Sequence, residues 1–179
     1  MQSIIKINEN GKVMRDCIYI KLKKKCLNYE DLDYSVFNEC CNSTYIIACT
    51  NHSTFRGVIA CRRVRFNEIE NEFLKYHPQN KQVGYRIEVL HYNKDADLKA
   101  KIKLIRSCLA DKNDSFVVFE PKCPNTIEDI ETVLKPIGFE VHDDLNSPLG
   151  YILVKPPLSY PKRIKSRYSS FKIAKQKRR

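Results

Sequence analysis

The stretch VLHYNKDADLKAKIKLI, residues 89–105, runs an apolar strand directly into an amphipathic helix, and this junction constrains the fold more than any other feature. Ile87, Val89 and Leu90 are strand-like, whereas Leu98, Ile102, Ile105 and Leu109 recur at the spacing of one helical face. In open α/β sheets such a turn is where anions settle, because the N–H groups of the first helical turn point outward. Here the turn carries Asp95 and Asp97 and no glycine.

The rest of the chain is read around that junction. A first strand is expected over 13–22, with Ile18, Ile20 and Leu22 on one face, ended by the lysines 23–25. Residues 29–41 suit a short helix burying Leu32, Val36 and Phe37. Residues 43–50 and 54–66 are β-branched and apolar around a polar turn at 51–53, and 68–78 reads as a weak helix or turn with a proline stop. A strand over 83–91 then leads into the helix starting near Asp95. Residues 115–121 form a short buried strand. Thr126 with Asp129 has the pattern of a helix start, and Ile127, Ile130, Val133, Leu134 and Ile137 form its apolar stripe. Gly138 is placed to stop that helix in the left-handed conformation. FEVH and YILVK supply two last strands around a turn-rich segment. The order is β-α-β-β-(α)-β-α-β-α-β-β: an α/β (α+β) domain with a mixed central sheet and flanking helices.

Charge divides the chain. Its formal net charge is +11, yet residues 155–179 hold ten Lys or Arg and no acid. Residues 1–154 hold 22 basic and 21 acidic side chains and are nearly neutral. The expectation is a globular domain over 1–154 and a basic tail over 155–179 that begins at Pro156–Pro157. The 42% apolar content and 18 aromatic residues suffice for a core. No apolar run approaches the ~20 residues of a membrane span, and the N-terminal residues lack a signal-peptide apolar region, so a cytoplasmic protein without membrane contact is expected. Eight cysteines in that setting read as reduced thiols.

The element order, with IGFEV leading into the last strand pair, resembles the acetyltransferase-like (GNAT) fold. Residues 83–154 are more particularly similar to the ornithine decarboxylase antizymes, which have that fold without acetyltransferase activity; Gly138-Phe139-Glu140 is the local marker. The resemblance implies a coenzyme A turn containing glycines after the central strand, and a tyrosine general acid about four residues before the Gly-Phe pair. The turn here, His91 to Asp97, has no glycine to let backbone approach a phosphate, and Leu134 stands at the tyrosine position. Carboxylates at a helix N-terminus satisfy its dipole and repel an incoming anion. The resemblance therefore implies a non-catalytic member of its fold, without a cofactor.

Among candidate binding groups the tail is the most pronounced. Lys155, Lys162, Arg163, Lys165, Arg167, Lys172, Lys175, Lys177, Arg178 and Arg179 are interleaved with Tyr160, Tyr168 and Phe171. Cations release counterions from phosphates and aromatic rings stack on unpaired bases, a mixture suited to RNA. Ile164, Tyr168 and Phe171 share a helical face, and a solubilising tail, a nuclear import signal or a membrane-surface segment are the other readings. Lys21, Lys23, Lys24 and Lys25, and Arg62, Arg63 and Arg65, form further basic clusters, read first as solvated strand ends.

Cysteines 40, 41, 49 and 61 with His52 lack the paired spacing of a structural zinc site and read as small buried residues, with no metal. Histidines 52, 77, 91 and 142 sit in no nucleophile motif. Glu88 occupies a place where acetyltransferases keep a general base, read here as structural. The resulting expectation is a non-enzymatic protein that docks on ribosomal RNA, in the manner of a ribosome-hibernation factor regulating translation. Two alternatives stand beside it: an antizyme-like inhibitor of ornithine decarboxylase, and a divergent acetyltransferase.

Overall fold

The structure, a computed structural model, describes residues 2–8, 19–20, 22–24, 26, 34–40, 43, 45–51, 53–65, 83–121, 126–145 and 147–158. Among them seven strands form one sheet in the order β1-β2-β3-β4-β5-β7-β6. These are β1 (Gln2–Asn8), β2 (Tyr45–Asn51), β3 (Thr54–Arg65), β4 (Val83–Tyr92), β5 (Val117–Phe119), β6 (Glu140–Asp143) and β7 (Tyr151–Lys155). Every neighbouring pair is antiparallel except β4 and β5. The expected mixed sheet with flanking helices is the observed architecture.

Both faces of the central strands are covered, which is why YIIAC and GVIAC read as nearly unbroken apolar runs. Ile47, Cys49, Ile59, Cys61 and Ile87 face one core, shared with Leu104, Ile105 and Cys108 of helix α2 (Leu98–Leu109) and with Val133 and Leu134. Ile46, Ala48, Val58, Ala60 and Val89 face a second core with Leu22, Cys26 and Phe37, the last on helix α1 (Tyr34–Asn38). Phe37 is 1% exposed, so truncating it to alanine costs about 3–5 kcal/mol in lost burial and cavity formation.

The expected first strand over 13–22 is not what forms where the chain is described. Residues 19–20 and 22–24 are helical. Tyr19, Leu22 and Cys26, three and four residues apart, all reach the second core, and that helical spacing outweighs the short Ile18–Ile20–Leu22 alternation. The true first strand is Gln2–Asn8, paired along its whole length with β2. The weak helix expected over 68–78 lies outside the described residues.

The second long helix, α3, runs from Thr126 to Ile137 and changes character twice. Residues Ile130–Leu134 form a π turn between two α-helical pieces. Pro136 explains it: the proline has no N–H for the carbonyl four residues earlier, and its ring clashes there. The wider turn lets Lys135 N–H reach the carbonyl of Ile130 instead. Gly138 then ends α3 at φ +104°, the left-handed residue its position foretold.

Candidate active-site cleft

Two irregularities in β-pairing shape the centre of the sheet. Ala60 faces Val89 while Cys61 faces Ile87, so Glu88 is an extra residue in β4. Cys49 faces Gly57 while Thr50 faces Phe55, so Arg56 is an extra residue in β3. Bulges of this kind bend a strand and re-aim a side chain. Glu88 is turned to meet Arg62, whose Nε donates to its Oε1 at 3.0 Å. Arg56 is turned to the end of the sheet, where Nη1 donates to the backbone carbonyl of Asp95.

Beside the Glu88 bulge, β4 and β5 part. Their parallel pairing covers only Tyr85–Ile87 against Val117–Phe119, yet β4 continues to Tyr92. Residues 88–92 thus present an edge that β5 does not cover, and strand edges are rows of unused donors and acceptors. Arg86 and Glu120 bridge the strands near the point of parting, with 2.6 Å between Nη2 and Oε2.

The far end of this cleft is the strand-to-helix turn. Asn93 organises it: its N–H donates to Arg56 O, its side-chain amide donates to Phe55 O, and its Oδ1 accepts from Lys94 N–H at 2.7 Å. Asp97 is the N-cap of α2, its Oδ1 accepting from Ala100 N–H at 2.6 Å. One of the two carboxylates is therefore committed to the helix. The N–H groups of Leu98 and Lys99 have no intrahelical acceptor by geometry; Lys94 and Lys99 adjoin them in sequence, and Arg56 reaches the same turn at the Asp95 carbonyl.

Lys101 ties α2 to α3. Its ammonium lies 2.8 Å from Asp129 Oδ1 and 5.0 Å from the centre of the Tyr92 ring. Tyr92, the last residue of β4, has a buried hydroxyl without a hydrogen-bond partner, and burial followed by the Asp129 charge raises its pKa above that of a free tyrosine. Neither Tyr92 nor the Lys101–Asp129 bridge was recognised in the sequence, since partners 28 residues apart leave no local pattern. Gly57 lets the floor of this region form: a Cβ there would lie 2.6 Å from the carbonyl of His91 and 3.2 Å from the Tyr92 ring.

The candidate residues named from sequence are distributed unevenly. Lys155 is 6% exposed on β7, opposite Val117, and so is not presented to a polynucleotide. Tyr160, Lys162, Arg163, Lys165, Arg167, Tyr168, Phe171, Lys172, Lys175, Lys177, Arg178 and Arg179 lie outside the described residues. Cys40, Cys49 and Cys61 are buried in the cores outside any disulfide, and His52, His77 and Cys41 lie outside the described residues. Leu134, at the tyrosine position of the resemblance, is fully buried. Among the described residues no helix is long and apolar enough to cross a membrane.

No protein-family model and no curated protein matches this sequence. Solved structures do. The N-acetyltransferase YlbP of Bacillus subtilis, in complex with coenzyme A, superposes with a TM-score of 0.50 at 11% identity, over 88% of this chain and 97% of its own. An N-acetyltransferase from Staphylococcus aureus Mu50 gives 0.50 at 11%, over 86% and 94%. A histone acetyltransferase HPA2-related acetyltransferase from Corynebacterium glutamicum gives 0.52 at 11%, over 89% and 99%. The chain has the GNAT acetyltransferase-like fold.

These matches correct the expectation of a non-enzymatic protein that docks on the ribosome to regulate translation. The fold is shared along nearly the whole chain with acetyltransferases, and the divergent-acetyltransferase alternative is taken up as a proposal below. The error has a physical source. Weight was placed on a basic tail whose charge speaks only of polyanions in general, and the missing glycines were taken as a missing cofactor site. The parting of β4 from β5, which no residue type encodes, was not visible.

Proposed function

We propose that the chain is a divergent acetyltransferase that moves an acetyl group from acetyl-coenzyme A to a primary amine, with the uncovered edge of β4 as the donor cleft. One observation carries this reading: β4 outruns β5 by five residues beyond the Ile87–Phe119 pair, in a sheet matched by N-acetyltransferases, one of them holding coenzyme A.

The residues present fit such a donor. Its amide-bearing arm suits the side of β4 that β5 leaves uncovered beyond Ile87, as an added strand would. Its diphosphate suits the start of α2, where Leu98 and Lys99 N–H groups are unused and side-chain cations outnumber Asp95 and Asp97. Side-chain charge thus stands in for the glycine-lined backbone cradle that the resemblance led one to expect. When bound, acetyl-coenzyme A supplies an acetyl group activated as a thioester.

The chain's own contribution centres on Glu88. Its carboxylate, held by Arg62, lies where the two strands part, and it accepts the proton of the acceptor's ammonium so that a neutral amine attacks. Leu134 supplies no proton to the departing thiolate, because it is apolar and enclosed by the core.

The test is acetyl transfer from labelled acetyl-coenzyme A to a panel of amines: a diamine, a peptide N-terminus and a lysine-containing peptide. Label on at least one amine, lost in Glu88→Gln, is expected. No transfer to any of them would contradict the proposal. Indifference to acetyl-coenzyme A together with capture of ornithine decarboxylase would put the antizyme-like reading of residues 83–154 in its place.

A further inference from the structure

Arg62 and Arg86 stand directly opposite one another on β3 and β4, with Val118 of β5 next in the same row. Like charges facing each other across a sheet are destabilising, so stability alone does not call for two guanidinium groups there. Each has a carboxylate. Arg62 Nε lies 3.0 Å from Glu88 Oε1, and Arg86 Nη2 lies 2.6 Å from Glu120 Oε2. These pairs offset the repulsion and leave most of each guanidinium unspent. A guanidinium carries five N–H donors, and among the described residues neither arginine makes a further hydrogen bond.

The four groups are within reach of a solute. The side chains of Arg62 and Arg86 are 40% and 33% exposed, and those of Glu88 and Glu120 are 24% and 26% exposed. They also sit where β4 and β5 part. Ile87 and Phe119 form the last pair of those strands, and Glu88 and Glu120 are the next residue on each. The row holds one positive charge for each negative one. A site for a simple cation has no use for the arginines, and a site for a simple anion has none for the acids. Complementarity calls for a molecule that carries both signs.

We propose that this row selects the acceptor: a primary amine bearing a carboxylate a few bonds away, its ammonium on Glu88 and its carboxylate on the spare donors of Arg62 and Arg86. The inference rests on the acetyltransferase reading above and names the acceptor class which that reading leaves open. Arg62 sets the spacing. Its Nε holds Glu88 and its two Nη groups belong to the same planar fork, so the two charges of the acceptor must lie close together. Two parallel N–H bonds from such a fork fit a carboxylate in a way a lysine cannot match. The second ammonium of a diamine would meet the arginines instead. A free ω-amino acid and a peptide whose first residue is aspartate offer the same chemistry.

The experiment measures kcat/KM for acetyl transfer by the full chain on two matched pairs. These are β-alanine against β-alaninamide, and Asp-Ala-Ala-amide against Asn-Ala-Ala-amide. In at least one pair the carboxylate-bearing member is favoured at least about tenfold. Preference in the first pair marks a free amino acid as the acceptor, and in the second an acidic peptide N-terminus. Arg86 pairs with Glu120 and not with Glu88, so Arg86→Gln spares the proton acceptor and brings the ratio to within about threefold of unity. Arg86→Lys, which keeps the charge and loses the fork, gives an intermediate ratio. A ratio near one in both pairs overturns the proposal while acetyl transfer stands, and so does a ratio that Arg86→Gln leaves unchanged. Label on a diamine and on none of these four compounds overturns it as well. If Arg86→Gln does not fold, the wild-type ratio and Arg86→Lys decide. If no amine of any kind accepts the label, the acetyltransferase reading fails, and calorimetric titration with the same four compounds decides for this site. Saturable binding confined to a carboxylate-bearing member and lost in Arg86→Gln keeps it; its absence overturns it.

Discussion

Glu88 Oε1 lies 3.0 Å from Arg62 Nε at the one point where β4 carries an extra residue against β3. The bulge, the ion pair and the parting of β4 from β5 occur within two residues of one another, which gives the sheet a charged site at the root of its cleft.

Replacing Glu88 with glutamine keeps the shape and removes the proton acceptor. The expected result is a fall in kcat of about 10²- to 10⁴-fold with little change in acetyl-coenzyme A affinity, read by steady-state kinetics and calorimetry. Folding stability changes by less than about 1 kcal/mol, since the Arg62 pair is partly exposed. A parallel loss of donor binding would show that Glu88 shapes the cleft instead.

Asp97 works for the helix and against an anion. Asp97→Ala removes the acceptor of Ala100 N–H and lowers stability by about 0.5–2 kcal/mol, measured by urea unfolding. The same change frees that N–H and deletes a negative charge at the start of α2. Acetyl-coenzyme A affinity therefore rises, by roughly two- to fivefold. Weaker donor binding by a folded Asp97→Ala would place the diphosphate elsewhere.

Gly57 has a steric role. Gly57→Ala sets a Cβ 2.6 Å from the backbone carbonyl of His91, which cannot move without disturbing the β3–β4 pairing. A loss of about 1–3 kcal/mol in urea unfolding is expected, typical of overpacking in a closed region.

Lys155→Met gives a pH-dependent result. In wild type the folded state holds the Lys155 proton less tightly than the unfolded chain, whose lysine titrates near 10.5. Between the depressed folded value and 10.5 the unfolded state binds more protons, so wild-type stability rises with pH in that window. The methionine variant lacks this dependence. It is more stable than wild type at neutral pH, and the gap narrows as pH climbs toward 10.5, as urea midpoints across that range will show.

How much of this was written locally in the sequence differs from element to element. The strands read over 43–50, 54–66 and 83–91 form over 45–51, 54–65 and 83–92, the helix read from near Asp95 runs over 98–109, and Gly138 is the left-handed stop; these follow from apolar periodicity and one glycine. The helical residues 19–20 and 22–24 were misread because a five-residue window of Ile18, Ile20 and Leu22 fits a strand as well as a helix, until tertiary contacts with Phe37 and Tyr34 decide. Lys155 was read as the first residue of an exposed tail because a lysine next to two prolines and a basic run looks solvated. Its pairing with Val117 puts it inside. The cleft was illegible for a deeper reason: it is made by where pairing stops and by two bulges, and neither leaves a residue signature.

The most direct test of the account is the melting temperature of the full chain with and without saturating acetyl-coenzyme A. A donor that binds only the folded state adds about 2.7 kcal/mol at a hundredfold excess over Kd, which for a chain of this size raises Tm by roughly 5–10 °C. A rise of that order, reduced by coenzyme A analogues lacking the diphosphate, is the predicted result. An unchanged Tm at millimolar acetyl-coenzyme A would contradict the claim that the β4 edge is a donor cleft.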